Sequence, residues 1–277
     1  MTQIRDLLRC AEALLINSDS PALDAELLLA HCLKRNRTYL YTWPEREIAA
    51  SDEALFRELL ARRQQGEPIA YLTGEREFWS LPLAVNNSTL IPRPDTERLV
   101  EVALEVLPQL SANVLDLGTG SGAIALALAS QKPAWSLCGV DIDADAVALA
   151  NNNARNLAFD NTQFFQSDWF AAVPARQFDA IVSNPPYIDA DDPHLLRGDV
   201  RFEPRRALVA EQNGLAAIAA IATMAPNFLQ CRGWLLFEHG YEQGPAVRSL
   251  LSRAGFQNIS TWNDWGGRER VSGGTAP

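Results

Sequence analysis

Beyond residue 112 the chain alternates between short apolar runs and helical patterns, and that rhythm leaves it few folds. The runs are 113–118 (NVLDLG), 136–143 (SLCGVDID), 162–168 (TQFFQSD), 178–184 (FDAIVSN), 234–240 (WLLFEHG) and 258–264 (NISTWND). Segments 122–131, 143–156 and 214–229 lie among them and carry apolar residues at helical spacing. Strands that alternate with helices build a mostly parallel, doubly wound α/β sheet covered on both faces. Such sheets place their ligands at the carboxyl ends of the strands.

The first 75 residues show no strand pattern. Segments 2–15 and 20–33 repeat leucine at three- and four-residue intervals, and Ser20 with Pro21 reads as a cap and a first-turn residue. Segment 51–66 has Ser51 as its cap, acids in its first turn, arginines in its last and Gly66 beyond. Residues 1–74 therefore read as a small all-helical domain. From 75 to 97 short extended pieces are broken by Pro82, by Asn86-Asn87-Ser88 and by Ile91-Pro92-Arg93-Pro94, while Phe78, Leu81, Leu83 and Val85 alternate. This reads as a β-hairpin linker. Asp95 caps the helix that follows, and 98–277 form the α/β domain.

With 277 residues, 47% of them hydrophobic, the chain can bury a sizeable core. Its 24 basic and 34 acidic residues give a net charge of -10, with no basic block, which argues against extensive contact with nucleic-acid phosphates. Arg5 and Asp6 fall where a secretion signal needs unbroken apolar sequence, and no apolar stretch reaches the length of a bilayer span. A soluble, cytoplasmic protein is expected. Cys10, Cys32, Cys138 and Cys231 are scattered without metal or redox spacing, and His31, His194 and His239 lie in separate segments. They are read as structural residues, with no metal.

The turn from the first strand of the α/β domain into its helix is Asp116-Leu117-Gly118-Thr119-Gly120-Ser121-Gly122. Glycines allow a sharp turn and close approach of a ligand, and the helix N-terminus supplies free N–H donors. Gly118, Gly120 and Ala123 also satisfy the dinucleotide pattern G-x-G-x-x-A, and Asp141 ends the second strand, where an acid binds ribose hydroxyls. The loop leaves NAD and S-adenosylmethionine both open. Asp116 tilts the balance toward the second, since a carboxylate there can engage the cationic amino-acid part of that molecule. Asp168 and Trp169 end the third strand, one placed to accept from an adenine amino group and the other to stack on the base.

The fourth strand ends in Ser183-Asn184-Pro185-Pro186-Tyr187. One proline suffices to end a strand, so two behind an amide suggest a shaped site. The Asn184 side-chain oxygen and the Pro185 carbonyl could each accept one N–H of a planar NH2 group, which Tyr187 would flank. The prolines fix the carbonyl's direction. A nitrogen whose lone pair is delocalised needs such positioning before it can attack a methyl group.

These residues resemble class I S-adenosylmethionine-dependent methyltransferases that act on planar NH2 groups, among them DNA adenine and protein glutamine methyltransferases. The helical N-terminal part, GEREFWSLPLAVNNSTLIPRPDTE, DLGTGSGAIALALA, and SNPPYI followed by RFEPRRAL are together similar to the bacterial release-factor glutamine methyltransferases, the HemK or PrmC family. The resemblance implies a seven-stranded sheet, S-adenosylmethionine as donor with S-adenosylhomocysteine as product, and methylation of the N5 amide of the Gly-Gly-Gln glutamine in class 1 peptide chain release factors. It implies that Asn184, Pro185, Pro186 and Tyr187 hold the glutamine. Asp116, Leu117, Gly118, Thr119, Gly120, Ser121, Gly122, Asp141, Asp168, Trp169 and Asn184 would face the cofactor. Pro92, Arg93 and Pro94 would wall the site, Glu203 and Pro204 would shape the loop beyond it, and the helical domain would recognise the partner. Ser80 stands where the family is expected to prefer glycine, so the hairpin turn is expected to differ. An adenine-N6 methyltransferase of DNA or RNA would use the same motif but would want a basic target-recognition domain. A nicotinamide-dependent oxidoreductase or a nucleotide-binding module would leave Asn-Pro-Pro-Tyr unexplained.

Overall fold

The computed structural model describes residues 2–107, 110–174 and 177–277. They form two compact units, the first comprising Met1–Glu75 with His194–Phe202, the second Arg76–Pro193 with Glu203–Pro277.

The first unit is built from α1 (Ile4–Leu14), α2 (Pro21–Leu33), α3 (Arg37–Thr42), α4 (Ala50–Gln64) and α5 (Ile69–Thr73). Their apolar stripes meet in a core containing Leu7, Leu28, Leu29, Phe56 and Leu59. The expected caps are only partly realised. Ser20 occupies the cap position of α2, but its hydroxyl bonds the Asp24 carboxylate at 3.3 Å rather than the backbone. Helix α4 begins one residue before Ser51, with Ala49 in the extended cap position, so Ser51 lies inside the helix and does not cap it. Helices α3 and α5, with six and five residues, are too short for a periodic pattern; Asn36 caps α3 by accepting from the Tyr39 amide at 3.0 Å. Arg63 bridges two acids within this unit, Asp24 at 2.7 Å and Asp199 at 2.8 Å.

The hairpin consists of β1 (Glu75–Phe78) and β2 (Leu81–Ala84). Its turn residues Trp79 and Ser80 have φ of 54° and 60°. Two consecutive left-handed residues match the twist of a two-residue hairpin, a geometry glycine adopts without the steric penalty of a Cβ. Ser80 is exposed and loses no buried contact on truncation. Ser80→Gly is therefore expected to raise stability by about 0.5–1 kcal/mol, the relieved strain outweighing the added freedom of the unfolded chain, as read from a denaturant midpoint.

After a 3-10 turn at Pro94–Thr96 comes α6 (Glu97–Val106). Asp95 lies within that turn and makes no capping bond to α6, contrary to expectation; Glu97 instead accepts from the Trp79 amide at 2.8 Å. Then follow β3 (Asn113–Leu117), α7 (Ala123–Gln131), β4 (Ser136–Asp141), α8 (Ala144–Asn156), β5 (Thr162–Gln166), β6 (Phe178–Ser183), the short turn α9 (Glu211–Gly214), α10 (Ala216–Met224), β7 (Leu229–Glu238), α11 (Gly244–Arg253), β8 (Gln257–Asn263) and β9 (Glu269–Thr275). The seven-stranded sheet has the order β5-β4-β3-β6-β7-β9-β8, parallel except for β9, which is antiparallel to both neighbours. Side-chain alternation sends Val114, Leu137 and Val182 toward α6 and α7, and Leu115, Val140 and Ile181 toward α10 and α11, so each face has its own core.

Strand β9 has no counterpart among the six apolar runs because Ser272, Gly273 and Gly274 occupy its middle. A Cβ on Gly273 would lie 2.4 Å from Leu236 Cδ2 and 2.5 Å from the Leu235 carbonyl, so the position excludes any side chain. The chain runs outward from β3 through β4 to β5, then returns to β6 on the other side of β3. The switch point between β3 and β6 thus brings the glycine loop and Asn184 to one edge.

Candidate active site

Within the second unit a cavity of about 490 Å³ opens at that edge. Gly118, Thr119, Gly120, Ser121, Asp141, Asp168, Trp169, Asn184, Pro186 and Pro92 all line it. Asp116, Leu117, Gly122, Pro185, Tyr187, Arg93 and Pro94 are not among the lining residues: the first four are buried, Tyr187 and Arg93 are half-buried, and Pro94 is exposed.

The glycine loop is pinned from below. The amides of Gly118 and Thr119 both donate to the Val140 carbonyl at 2.9 Å, that of Gly122 to the Thr119 carbonyl at 2.9 Å, and that of Gly120 to Asp141 Oδ2 at 2.9 Å. Gly118, Gly120 and Gly122 have φ of 71°, 54° and 84°, the left-handed region in which glycine is the natural choice. The donors expected to be free for a ligand are thus largely engaged within the protein. A pyrophosphate cradle needs such amides, whereas an adenosine-bearing sulfonium does not. Asp141 takes the Asp143 amide on its other oxygen at 3.0 Å; burial raises its pKa, and the Gly120 amide and the nearby Arg206 pull it back down. Each carboxylate oxygen keeps a lone pair for a ligand hydroxyl. Arg206 stands at the rim, paired with Asp143 and donating to the Ser88 carbonyl at 3.1 Å.

Asp116 is buried beneath the loop and accepts from the Thr119 hydroxyl at 2.6 Å. Burial pushes its pKa up to about 7, against the pull of that hydroxyl and of the Ala125 amide. An acid that holds its proton more tightly when folded favours the folded state fully below its ordinary pKa near 4, and that contribution disappears as pH rises to about 7. Asp116→Asn, which cannot ionise, is expected to flatten the fall in stability between pH 4 and 7, measured as denaturation midpoints across that range.

Trp169 has φ of 45°, an uncommon state for an aromatic residue. Ser167, with no functional motif to mark it, holds the turn: its hydroxyl donates to the Trp169 carbonyl at 2.8 Å and accepts from the Ala172 amide at 2.9 Å. Ser167→Ala leaves both groups without their partner, so the indole's placement is expected to relax. Affinity for S-adenosylmethionine, the donor that the resemblance implies, should fall about fivefold to tenfold, roughly one hydrogen bond's worth. Calorimetric titration checks this.

At the end of β6 the buried Ser183 hydroxyl donates to the Leu117 carbonyl at 2.8 Å, tying this strand to the start of the glycine loop. Asn184 Nδ2 donates to Thr96 Oγ1 at 3.2 Å, and among the described residues nothing bonds its Oδ1. Tyr187 does not line the cavity. Its hydroxyl donates to Glu238 Oε1 at 3.2 Å and its carbonyl accepts from Gln243 Nε2 at 3.0 Å. Burial and the Glu238 charge raise its pKa. The segment after Asn-Pro-Pro-Tyr pairs with the chain further on, Ile188 bridging to Val209, which brings Val209 and Ala210 to the cavity wall. Glu203 is buried; its carboxylate pairs with Arg93 and accepts from the Ile91 amide at 3.1 Å. It anchors the segment that carries Pro92 into the wall.

Cys32 and Cys138 are buried, whereas Cys10 and Cys231 are exposed. Among the described residues no group of histidine, cysteine and acidic side chains could hold a metal ion, and no helix is long and apolar enough to cross a membrane.

The family model for the PrmC N-terminal domain matches residues 6–74, and that for the methyltransferase small domain matches 97–197. The protein named release factor glutamine methyltransferase from Vibrio cholerae is 57% identical, over 92% of this chain and 90% of its own length. Those from Pseudomonas aeruginosa and Escherichia coli are each 52% identical, with 98% of both chains covered in the first case and 96% in the second. Among solved structures, a methyltransferase from Pyrococcus furiosus matches with TM-score 0.54 and 14% identity, covering 78% of this chain and 96% of its own. The 16S rRNA N2 G1207 methyltransferase of Thermus thermophilus, in complex with AdoMet and guanosine, matches with TM-score 0.53 and 21% identity over 73% of this chain and 50% of its own. Both carry the same sheet architecture.

Proposed function

The chain belongs to the release factor glutamine methyltransferases, S-adenosylmethionine-dependent enzymes, and on that footing we propose that it methylates the N5 amide of the glutamine in the Gly-Gly-Gln motif of class 1 peptide chain release factors, modulating translation termination. The observation that carries the choice of a planar NH2 group is Asn184, which lines the cavity with its amide nitrogen engaged and its oxygen open.

S-adenosylmethionine supplies an electrophilic methyl carbon on a sulfonium; as the amide nitrogen's lone pair forms the new C–N bond, the C–S bond breaks with its electrons going to sulfur, leaving S-adenosylhomocysteine. The loop Gly118–Ser121 gives the donor a wall in which Gly118 and Gly120 carry no side chain to obstruct it. Asp141 accepts from its ribose hydroxyls, and Asp168 and Trp169 take the adenine. Asn184 Oδ1 accepts one N–H of the substrate amide and the Pro185 carbonyl the other, which fixes the NH2 plane and raises electron density on nitrogen. Pro186 and Pro92 exclude water beside it, Tyr187 and Arg93 brace that wall through Glu238 and Glu203, and Pro94 sets the turn toward Thr96. The methylated amide nitrogen, transiently carrying an extra proton, is strongly acidic and loses it to solvent as the product leaves the site, so no basic side chain has to act before transfer. The helical unit recognises the release factor, and the reaction takes place in the cytoplasm, where that partner works.

Labelled S-adenosylmethionine incubated with unmethylated release factor, with its Gly-Gly-Gln variant carrying alanine for glutamine, and with duplex DNA tests this reading. Label is expected on the first alone. Label on DNA, or undiminished label on the alanine variant, would overturn it.

A further inference from the structure

Pro185 and Pro186 stiffen segment 184–187, but a stiff segment points only where its two ends are fixed. At its start the Ser183 hydroxyl donates to the Leu117 carbonyl at 2.8 Å. At its far end the Tyr187 carbonyl accepts from Gln243 Nε2 at 3.0 Å. The same NH2 group donates to the Asn213 carbonyl at 3.1 Å, and Gln243 Oε1 accepts from the Gly240 amide at 2.9 Å. Carbonyls only accept and an amide N–H only donates, so these partners set the orientation of the Gln243 side chain without ambiguity. The turn that carries it closes on itself ahead of α11, the Gln243 amide donating to the Gly240 carbonyl at 2.8 Å.

The second carbonyl belongs to a segment that continues the cavity wall. Ala210 and Glu211 line the cavity, and Gln212, Asn213 and Gly214 after them have φ of 58°, 56° and 79°. Three consecutive left-handed residues, two of them with side chains, persist only where their surroundings hold them. Gly214 is pressed against the catalytic segment: a Cβ there would fall on the Tyr187 carbonyl oxygen and 2.8 Å from Gln243 Nε2. The peptide between Tyr187 and Ile188 is thus gripped on both sides, its carbonyl by Gln243 and its N–H by the Leu208 carbonyl at 2.9 Å.

We propose that Gln243 is a positioning residue for methyl transfer, which mounts the far end of segment 184–187 and ties it to segment 210–214. Gln243 does not line the cavity, so it acts through the Tyr187 carbonyl. With that grip gone the peptide tilts about its remaining bond to Leu208. The tilt passes along the rigid prolines to the Pro185 carbonyl and the Asn184 oxygen, whose spacing has to match one planar NH2 group. The Tyr187 hydroxyl, still on Glu238 at 3.2 Å, keeps the ring in place but leaves the peptide plane free to turn.

The inference rests on the reading of Asn184 and Pro185 as a clamp for a planar amide. Turnover of release factor and binding of S-adenosylmethionine are measured for wild type, Gln243→Glu, Gln243→Met, Asn184→Ala and the double variant that combines Asn184→Ala with Gln243→Met. Amide hydrogen exchange is followed in the same proteins without substrate. Gln243→Glu keeps length and the acceptor for Gly240 but turns an oxygen toward two carbonyls, and Gln243→Met keeps length and removes both donors. Each is expected to lower kcat about tenfold to a hundredfold with donor affinity within about twofold of wild type. Exchange is expected to quicken at Ile188 and Ala210 and to stay unchanged in β3 and β4. The double variant is expected within about threefold of Asn184→Ala alone, since a clamp already opened gains little from its mount. Wild-type kcat in either Gln243 variant, a loss carried by donor affinity instead of kcat, unchanged exchange at Ile188, or losses that multiply in the double variant would overturn the proposal. Absence of methylation of release factor by the wild type would overturn the substrate reading instead, and the exchange rates, which need no substrate, still show whether Gln243 holds the segment.

Discussion

Asn184→Ala is expected to lower kcat by about a hundredfold or more while leaving the Kd for S-adenosylmethionine within about twofold. An amide nitrogen is a poor nucleophile because its lone pair is shared with the carbonyl, so its attack depends on being held in line and on an acceptor that strengthens as positive charge develops on the nitrogen. In the proposed reaction Asn184 Oδ1 is that acceptor, and alanine removes it. The backbone remains, because Ser183 still binds the Leu117 carbonyl at 2.8 Å and the Ile188 amide still donates to Leu208 at 2.9 Å. The fold loses little beyond the bond to Thr96, about 1 kcal/mol. Single-turnover methylation with saturating donor, alongside calorimetric titration, separates these effects. A matching loss of donor affinity would make Asn184 a donor ligand rather than the substrate clamp.

Asp141→Ala should show the opposite signature. Donor affinity is expected to fall by roughly a hundredfold, about 2.7 kcal/mol, while kcat at saturating donor stays within a few fold of wild type. Two effects combine. On the proposed binding mode the ribose hydroxyls lose their acceptor, and the amides of Gly120 and Asp143, which donate to the two carboxylate oxygens at 2.9 and 3.0 Å, lose theirs, so the loop loses two of its ties. Unchanged donor affinity would remove Asp141 from the binding role.

How far the chain declares itself in its residues depends on whether a feature is periodic. The parallel strands and the long helices are apolar runs of sufficient length, and the glycine loop and Asn184 are marked by residues that few other contexts require. Strand β9 is silent because its middle is made of serine and glycine: Leu236 of the neighbouring strand fills the space at Gly273 and leaves no room there for a side chain. Ser51 and Asp95 misled because a polar residue near a helix start caps it only when its own backbone is extended, and the start of a helix shifts by a residue or a turn with the packing around it. Thr96 and Ser167 left no trace, since a lone hydroxyl gains its role from what surrounds it in space. Glu238 did leave one: an acid closing the apolar run Trp234–Phe237 at the functional edge of the sheet is costly to bury without a reason.

Residues 194–202 belong to the helical unit although they are encoded within the catalytic one, between Tyr187 and Glu203. Heredity and engineering both meet a constraint here. A gene fragment ending at residue 75 would leave Arg63 with Asp24 but without Asp199, so a single cut separates the helical unit from residues 194–202. Recombination that trades this unit whole between relatives has to carry both pieces.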